Sequence, residues 1–185
     1  LMKSAEKEGV TNFPIHIKLD TGMHRLGFAP QDMPELIARL KRQTSVIPRS
    51  VFSHLVGSDS TQFDAFTRHQ IETFERASEE LQEAFPHKIL RHICNTAGIE
   101  RYPGAQFDMV RLGLGLYGVN PCTNRMIHNV STLKTTILQI REVPQEDSVG
   151  YSRKGRLNRD SRIAAIPIGY ADGLNRRLGN GNAYC

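Results

Sequence analysis

Residues 1–121 predict an α/β fold, the C-terminal half of a parallel (β/α)8 barrel, and residues 122–185 the start of a β-rich domain. Three observations carry this. Short apolar runs alternate with long amphipathic stretches as far as about residue 120. Reactive polar side chains gather at the downstream ends of those runs. Beyond Asn120-Pro121 the helical period stops and Thr-, Leu- and Ile-rich segments replace it.

The elements follow in order. Leu1 to Val10 is charged and helix-like. Ile15-His16-Ile17-Lys18-Leu19 reads as a strand closed by Asp20-Thr21-Gly22. Met33, Leu36, Ile37 and Leu40 recur at helical spacing and predict a helix over 31–43. Residues 51–56 read as the next strand, stopped by Gly57-Ser58-Asp59-Ser60. A helix over 63–84 should turn Phe66, Phe74, Ala77, Leu81 and Ala84 inward, with Ser60 or Thr61 as its cap. Ile89 to Ile93 makes a third strand, and a short turn or helix starts at Thr96. Asp108 to Arg111 makes a fourth. After the switch, 131–143, 148–152 and 162–168 read as strands with no helix between them.

Strands separated by helices imply parallel βαβ units. In such units the C-terminal strand ends share one rim, where sites form in barrels and in open sheets alike. Lys18 and Asp20, His54, Asn95 and Thr96, and Arg111 all fall on that rim. Each one alone reads as readily as a surface lysine or a satisfied core histidine. Polar groups delivered to one end by four separate strands are hard to explain by packing, because buried charge is rarely left unpaired.

Composition narrows the classes. The 185 residues are 39% hydrophobic and 23% charged, with a formal net charge of +5. That is a globular composition rather than a disordered one. No apolar run reaches bilayer length, so no membrane partner is expected. Cys94, Cys122 and Cys185 lack CxxC spacing, which argues against a zinc ribbon or a disulfide scaffold and fits a reducing cytoplasm. No metal site is expected. The basic stretch Arg153 to Arg159 has no interleaved aromatics and reads as a solvated loop, so no nucleic-acid partner is expected. Four strands would leave a barrel with two open edges, and the chain runs from Leu1 to Asn182-Ala183-Tyr184-Cys185 with its β region hardly begun. The expectation is a segment of a longer protein, inactive alone.

Longer motifs add a resemblance. Ile17-Lys18-Leu19-Asp20-Thr21-Gly22-Met23-His24-Arg25-Leu26-Gly27-Phe28 resembles the K-x-D-T-G-M-x-R-L-G signature of bacterial alanine racemases. Residues 107–118, with Met109-Val110-Arg111, resemble that family's M-V-R-x-G-x-x-x-Y-G segment. Val149-Gly150-Tyr151 resembles its V-x-Y-G, and Ile168-Gly169-Tyr170-Ala171-Asp172-Gly173 its I-G-Y-A-D-G. His24 stands where Gly is common. The segments Ser53 to Ser60 and Tyr151 to Gly155 are most like racemase halves fused behind a muramoyl-tripeptide–D-alanyl-D-alanine ligase.

The resemblance implies a homodimeric pyridoxal 5'-phosphate enzyme that interconverts L- and D-alanine for peptidoglycan synthesis. It implies Tyr151 as a proton-transferring base that serves the partner subunit's site. Arg111 would face the pyridine nitrogen with His54 behind it. Thr96, Gly113 and Leu114 would hold the cofactor phosphate. Arg25 would act near the substrate carboxylate and pair with Lys18, the lysine often carbamylated in the family. Tyr170 would line the substrate's way in. The family's cofactor-linked lysine lies in an A-V-V-K-A-D-A-Y-G-like strand, and nothing like it occurs in these residues. Two rival readings stay open: another barrel-type pyridoxal phosphate enzyme, such as a serine racemase or an amino-acid decarboxylase, and a catalytically silent interaction module on the same fold. Arg111 discriminates against decarboxylases, which place an acid at the pyridine nitrogen. The joint presence of Arg25, His54, Arg111 and Tyr151 disfavours the silent module.

Overall fold

The computed structural model describes residues 1–128 and 130–179. The predicted end of the β region, with Cys185, lies outside the described residues. The chain divides into two compact units, the first Leu1–Ser131 and the second beginning at Thr132.

The first unit opens with helix α1 (Met2–Lys7), then strand β1 (Phe13–Lys18), helix α2 (Met33–Lys41), strand β2 (Val46–Phe52), helix α3 (Asp64–Glu83), strand β3 (Leu90–His92) and helix α4 (Thr96–Arg101). The three strands form a parallel sheet in the order β1-β2-β3. Helical crossovers between neighbouring parallel strands are the connection that a parallel ladder requires. Leu19, Met33, Val51, Phe74, Leu81, Ile89 and Ile93 are all fully buried, and they form the core between the sheet and the helices α2 and α3. Burial of Phe74 alone contributes about 2–3 kcal/mol. Helix α3 buries Thr67, Gln70, Phe74, Ala77, Ser78 and Leu81, a stripe at three- and four-residue spacing. The Ser60 side chain accepts from the Gln62 N–H and caps the single turn that leads into α3.

Four expectations are corrected. Strand β2 starts at Val46 and ends at Phe52, several residues before the predicted end. Residues 53–56 are therefore loop, although Leu55 is buried. Phe66 is exposed rather than inward, and its ring lies over Gly22. Asp108 to Arg111 forms no regular strand, although Asp108 and Arg111 each donate a backbone N–H to β3 or the residues just after it, at Arg91 O (3.1 Å) and Cys94 O (3.0 Å). The ladder fails because the Asp108 carboxylate takes the Arg91 N–H and Phe107 has a positive φ of 49°. In the second unit, β4 (Gln139–Val143) pairs antiparallel with β7 (Ser161–Ala165), and β5 (Ser148–Val149) with β6 (Gly155–Arg156). The predicted strands are thus shorter than expected, and residues 151–153 form a tight turn instead.

Candidate active site

The last residues of the three parallel strands, Lys18, Phe52 and His92, are in register and form one row across the sheet. The Phe52 and His92 rings stack 5.1 Å apart and 3° from parallel. Lys18 Nζ lies 5.5 Å from the centre of the Phe52 ring, and the Arg111 guanidinium carbon 5.4 Å from it. A cation over an aromatic face is held there by the ring quadrupole.

Arg111 is fixed from several sides. Its NH1 donates to His92 Nδ1 (2.6 Å) and His92 O (3.2 Å). Its NH2 donates to Ser53 O (2.5 Å) and Ile93 O (3.2 Å), with His54 Nδ1 at 3.4 Å. Among the described residues no carboxylate forms an ion pair with Arg111. Its charge remains available to an incoming ligand.

Beside Arg111 lies a cavity of about 500 Å³, lined by Met23, His54, Asn95, Thr96, Leu112, Gly113 and Leu114 among others. That volume suits a small cofactor. On its lining, Thr96 Oγ1 accepts the N–H groups of Gly113 and Gly115, at 2.9 and 3.3 Å. With its lone pairs so used, the Thr96 hydroxyl has its own proton left to donate. Leu114 N–H has no acceptor among the described residues. A Cβ on Gly115 would come within 2.8 Å of Leu112 Cδ1 and 2.9 Å of Thr96 Cγ2, so glycine is what lets this turn close onto Thr96. Free donors and a guanidinium on the lining of one cavity suit a flat, electron-rich ring that bears an anionic arm.

The loop after β1 is shaped by Asp20, whose Oδ1 accepts the N–H groups of Gly22, Met23 and His24, each at 3.0 Å. These bonds hold the Asp20 carboxyl below the usual carboxylate range, the His24 N–H foremost. The loop then folds back on β1, with Phe28 N–H on Lys18 O and Asp20 N–H on Phe28 O. Gly27 sits at the closest approach, with φ of 123°, where a Cβ would come within 2.8–2.9 Å of backbone atoms. Arg25 lies on this loop and is exposed. Burial, then the charges of Arg25 and Arg111, lower the Lys18 pKa, against the opposing pull of Asp20. Burial, then the charge of Arg111, likewise lowers that of His54.

Lys18, His54, Thr96, Arg111, Gly113 and Leu114 thus converge within the first unit. Arg25 stands on an adjacent loop with no contact to Lys18 given by the structure. Tyr151 and Tyr170 belong to the second unit, and they are 94% and 70% exposed. Two positioning groups escaped the sequence reading. His92, rather than His54, makes the shorter bond to Arg111, and strand register with Lys18 and Phe52 is the signal that could have found it. Gln70, fully buried on α3, accepts from Val56 N–H (3.1 Å) and donates to His54 O (3.2 Å) and Thr21 Oγ1 (3.4 Å). It thereby ties down the loop that carries His54.

Residues 1–121 match the family of alanine racemase N-terminal domains, and residues 130–185 that of alanine racemase C-terminal domains. Alanine racemase 2 of Caldanaerobacter subterraneus subsp. tengcongensis is 38% identical over 171 residues, which is 90% of this chain and 44% of that protein. A solved alanine racemase of Clostridium difficile 630 is 30% identical, with a TM-score of 0.67 over 96% of this chain and 48% of that one. That of Bartonella henselae carries covalently bound pyridoxal phosphate and is 28% identical, with a TM-score of 0.57 over 96% of this chain and 48% of that one. The chain spans about half the length of the curated relatives it matches. Two domain families matched in order, the first over residues 1–121 and the second over 130–185, place this chain in the alanine racemase family.

Proposed function

We propose that this chain supplies part of the active site of a cytoplasmic, pyridoxal 5'-phosphate-dependent alanine racemase whose D-alanine enters peptidoglycan. Residues 1–121 would be the C-terminal half of its (β/α)8 barrel, and 122–185 the start of its β domain. The observation that carries this reading is Arg111, a guanidinium pinned by three carbonyls and two imidazoles beside a cavity of cofactor size, with no carboxylate partner among the described residues. The residues present fit the cofactor. Among the described residues Leu114 N–H and the Thr96 hydroxyl are donors left for a phosphate, and the Arg111 guanidinium on the same cavity lining would serve a ring nitrogen.

Bound pyridoxal phosphate supplies the electron sink for the charge left on Cα when alanine loses its α-proton. The chain's own residues do the rest. Arg111 donates a hydrogen bond to the ring nitrogen and, being permanently protonated, gives up no proton to it. A weaker sink results, which limits side reactions. His54 stands against the guanidinium. Lys18, whose pKa is lowered, has more of the neutral amine that carbamylation needs, and the resulting anion would pair with Arg25. Tyr151 takes or returns the α-proton on one face, from the partner subunit of a homodimer, and Tyr170 lines the way in for alanine.

The test is Arg111→Glu in the whole protein. Most of the racemisation should be lost while pyruvate from transamination appears, because an acid protonates the ring nitrogen. Unchanged production of both D-alanine and pyruvate would show that Arg111 is not the ring partner.

A further inference from the structure

The sheet carries a row of polar groups behind Arg111, running from the exposed His16 to the buried Ser50 and His92, that the proposed reaction does not use. His16 Nδ1 lies 2.6 Å from Ser50 Oγ, Ser50 Oγ lies 3.2 Å from His92 Nε2, and His92 Nδ1 lies 2.6 Å from Arg111 NH1. The chain crosses β1, β2 and β3 in turn. It exists because of a local irregularity. Ile15 pairs with Pro48 but His16 with Ser50, so Arg49 is skipped and Ser50 is brought beside His16. Proline has no N–H to give the ladder, which accounts for a bulge at this point, and bulges re-aim side chains.

The direction of the chain follows from one fact. A guanidinium only donates. His92 Nδ1 must therefore accept from Arg111, which puts the ring proton on Nε2. Nε2–H then donates to Ser50 Oγ. Ser50 is fully buried, and its own hydroxyl proton has a single acceptor within reach among the described residues, His16 Nδ1. Left without it, that proton would be buried unsatisfied at a real cost. Bonds aligned head to tail in this way strengthen one another. The low pKa of His92, about 4, from burial first and then the charge of Arg111, agrees with a neutral ring at Nδ1.

We infer that Ser50 and His16 are positioning residues for Arg111: through His92 they fix the imidazole tautomer and orientation against which the guanidinium is held. The inference rests on the proposed role of Arg111 only for its effect on turnover; the tautomers stand apart from that role.

The experiment is histidine-selective 15N NMR of the whole protein with its cofactor, His92 and His16 being assigned by substitution. Both rings should show a protonated Nε2 and an unprotonated Nδ1 at pH 7.5. In Ser50→Ala, the His92 signals should broaden as its ring loses one anchor. Turnover should fall about 3- to 10-fold, the value of one neutral hydrogen bond, with the KM for alanine nearly unchanged. Ser50→Thr, which keeps the hydroxyl, should restore both. A His92 protonated at Nδ1 in the native protein would overturn the chain outright. Unaltered His92 signals in Ser50→Ala, or altered signals with unaltered turnover, would overturn the positioning role. If Arg111→Glu spared racemisation while the native tautomers were as described, the proposed function would fail and the hydrogen-bond chain would stand.

Discussion

His92 links the stability of the first unit to pH in a direction that can be worked out. The side chain is 5% exposed, and its pKa is lowered from 6.5 to about 4 by burial and the facing Arg111 charge. Between those two values the unfolded chain binds the proton more readily than the folded one. Stability from this group is therefore complete above the unfolded value and is lost as pH falls from about 6.5 towards 4. At about 1.4 kcal/mol per pH unit, acidification from pH 7.5 to 4.5 costs at most about 2.5 kcal/mol through His92, or about 2 kcal/mol after some solvent screening. Carboxylates such as Asp20 and Asp64 also weaken folding in acid, so the comparison needs a variant. His92→Asn keeps an oxygen acceptor for Arg111 and removes the titration. Urea unfolding can be followed by helical circular dichroism, since α1 to α4 all lie in the first unit. The native protein should lose about 2 kcal/mol more than His92→Asn over this range. A difference below about 0.5 kcal/mol would refute the argument, because His92 would then titrate as it does in the unfolded chain.

Two further outcomes are expected. His24 departs from the family's Gly and has a φ of 55°, while its ion pair with Asp20 is long at 3.5 Å and the ring is 85% exposed. His24→Gly should therefore raise stability by about 0.5–1 kcal/mol, read as a higher melting temperature, since relief of left-handed strain outweighs a surface pair. Tyr151→Phe should lower turnover about 10²–10⁴-fold while melting changes little, because the side chain is 94% exposed in its own unit. Activity regained on mixing it with a variant of the cofactor-linked lysine would support action across subunits, and near-normal turnover would exclude Tyr151 as the base.

Much of the first unit was legible because its strands and helices carry clean periodicities. The stripe on α3 and the alternation around Ile15 and Ile17 are of this kind. Strand β2 was misplaced for two physical reasons. Its first half, Val46-Ile47-Pro48-Arg49, contains a proline and a charge, which weaken a strand pattern, and Leu55 beyond its end is a buried loop residue. Periodicity cannot tell that loop from a strand. Phe66 lies on the apolar side of the helical pattern, but it covers Gly22 at the surface instead of entering the core. At the candidate site, the placement of Lys18 at the end of β1 was readable from position alone. His92 and Gln70 were not, because their roles arise from strand register and from a long side chain reaching across from α3. The polar chain through Ser50 was hidden for a related reason, since it depends on a single skipped residue in the β1–β2 pairing.

In the proposed function Arg111 faces the ring nitrogen of pyridoxal phosphate and holds its own proton. This can be tested directly by loading the whole protein with cofactor 15N-labelled in the ring and recording its nitrogen resonance at pH 7.5. The pyridine nitrogen should be unprotonated in the native protein and become protonated in Arg111→Glu. A protonated nitrogen in the native protein, or a resonance indifferent to the substitution, would contradict that role.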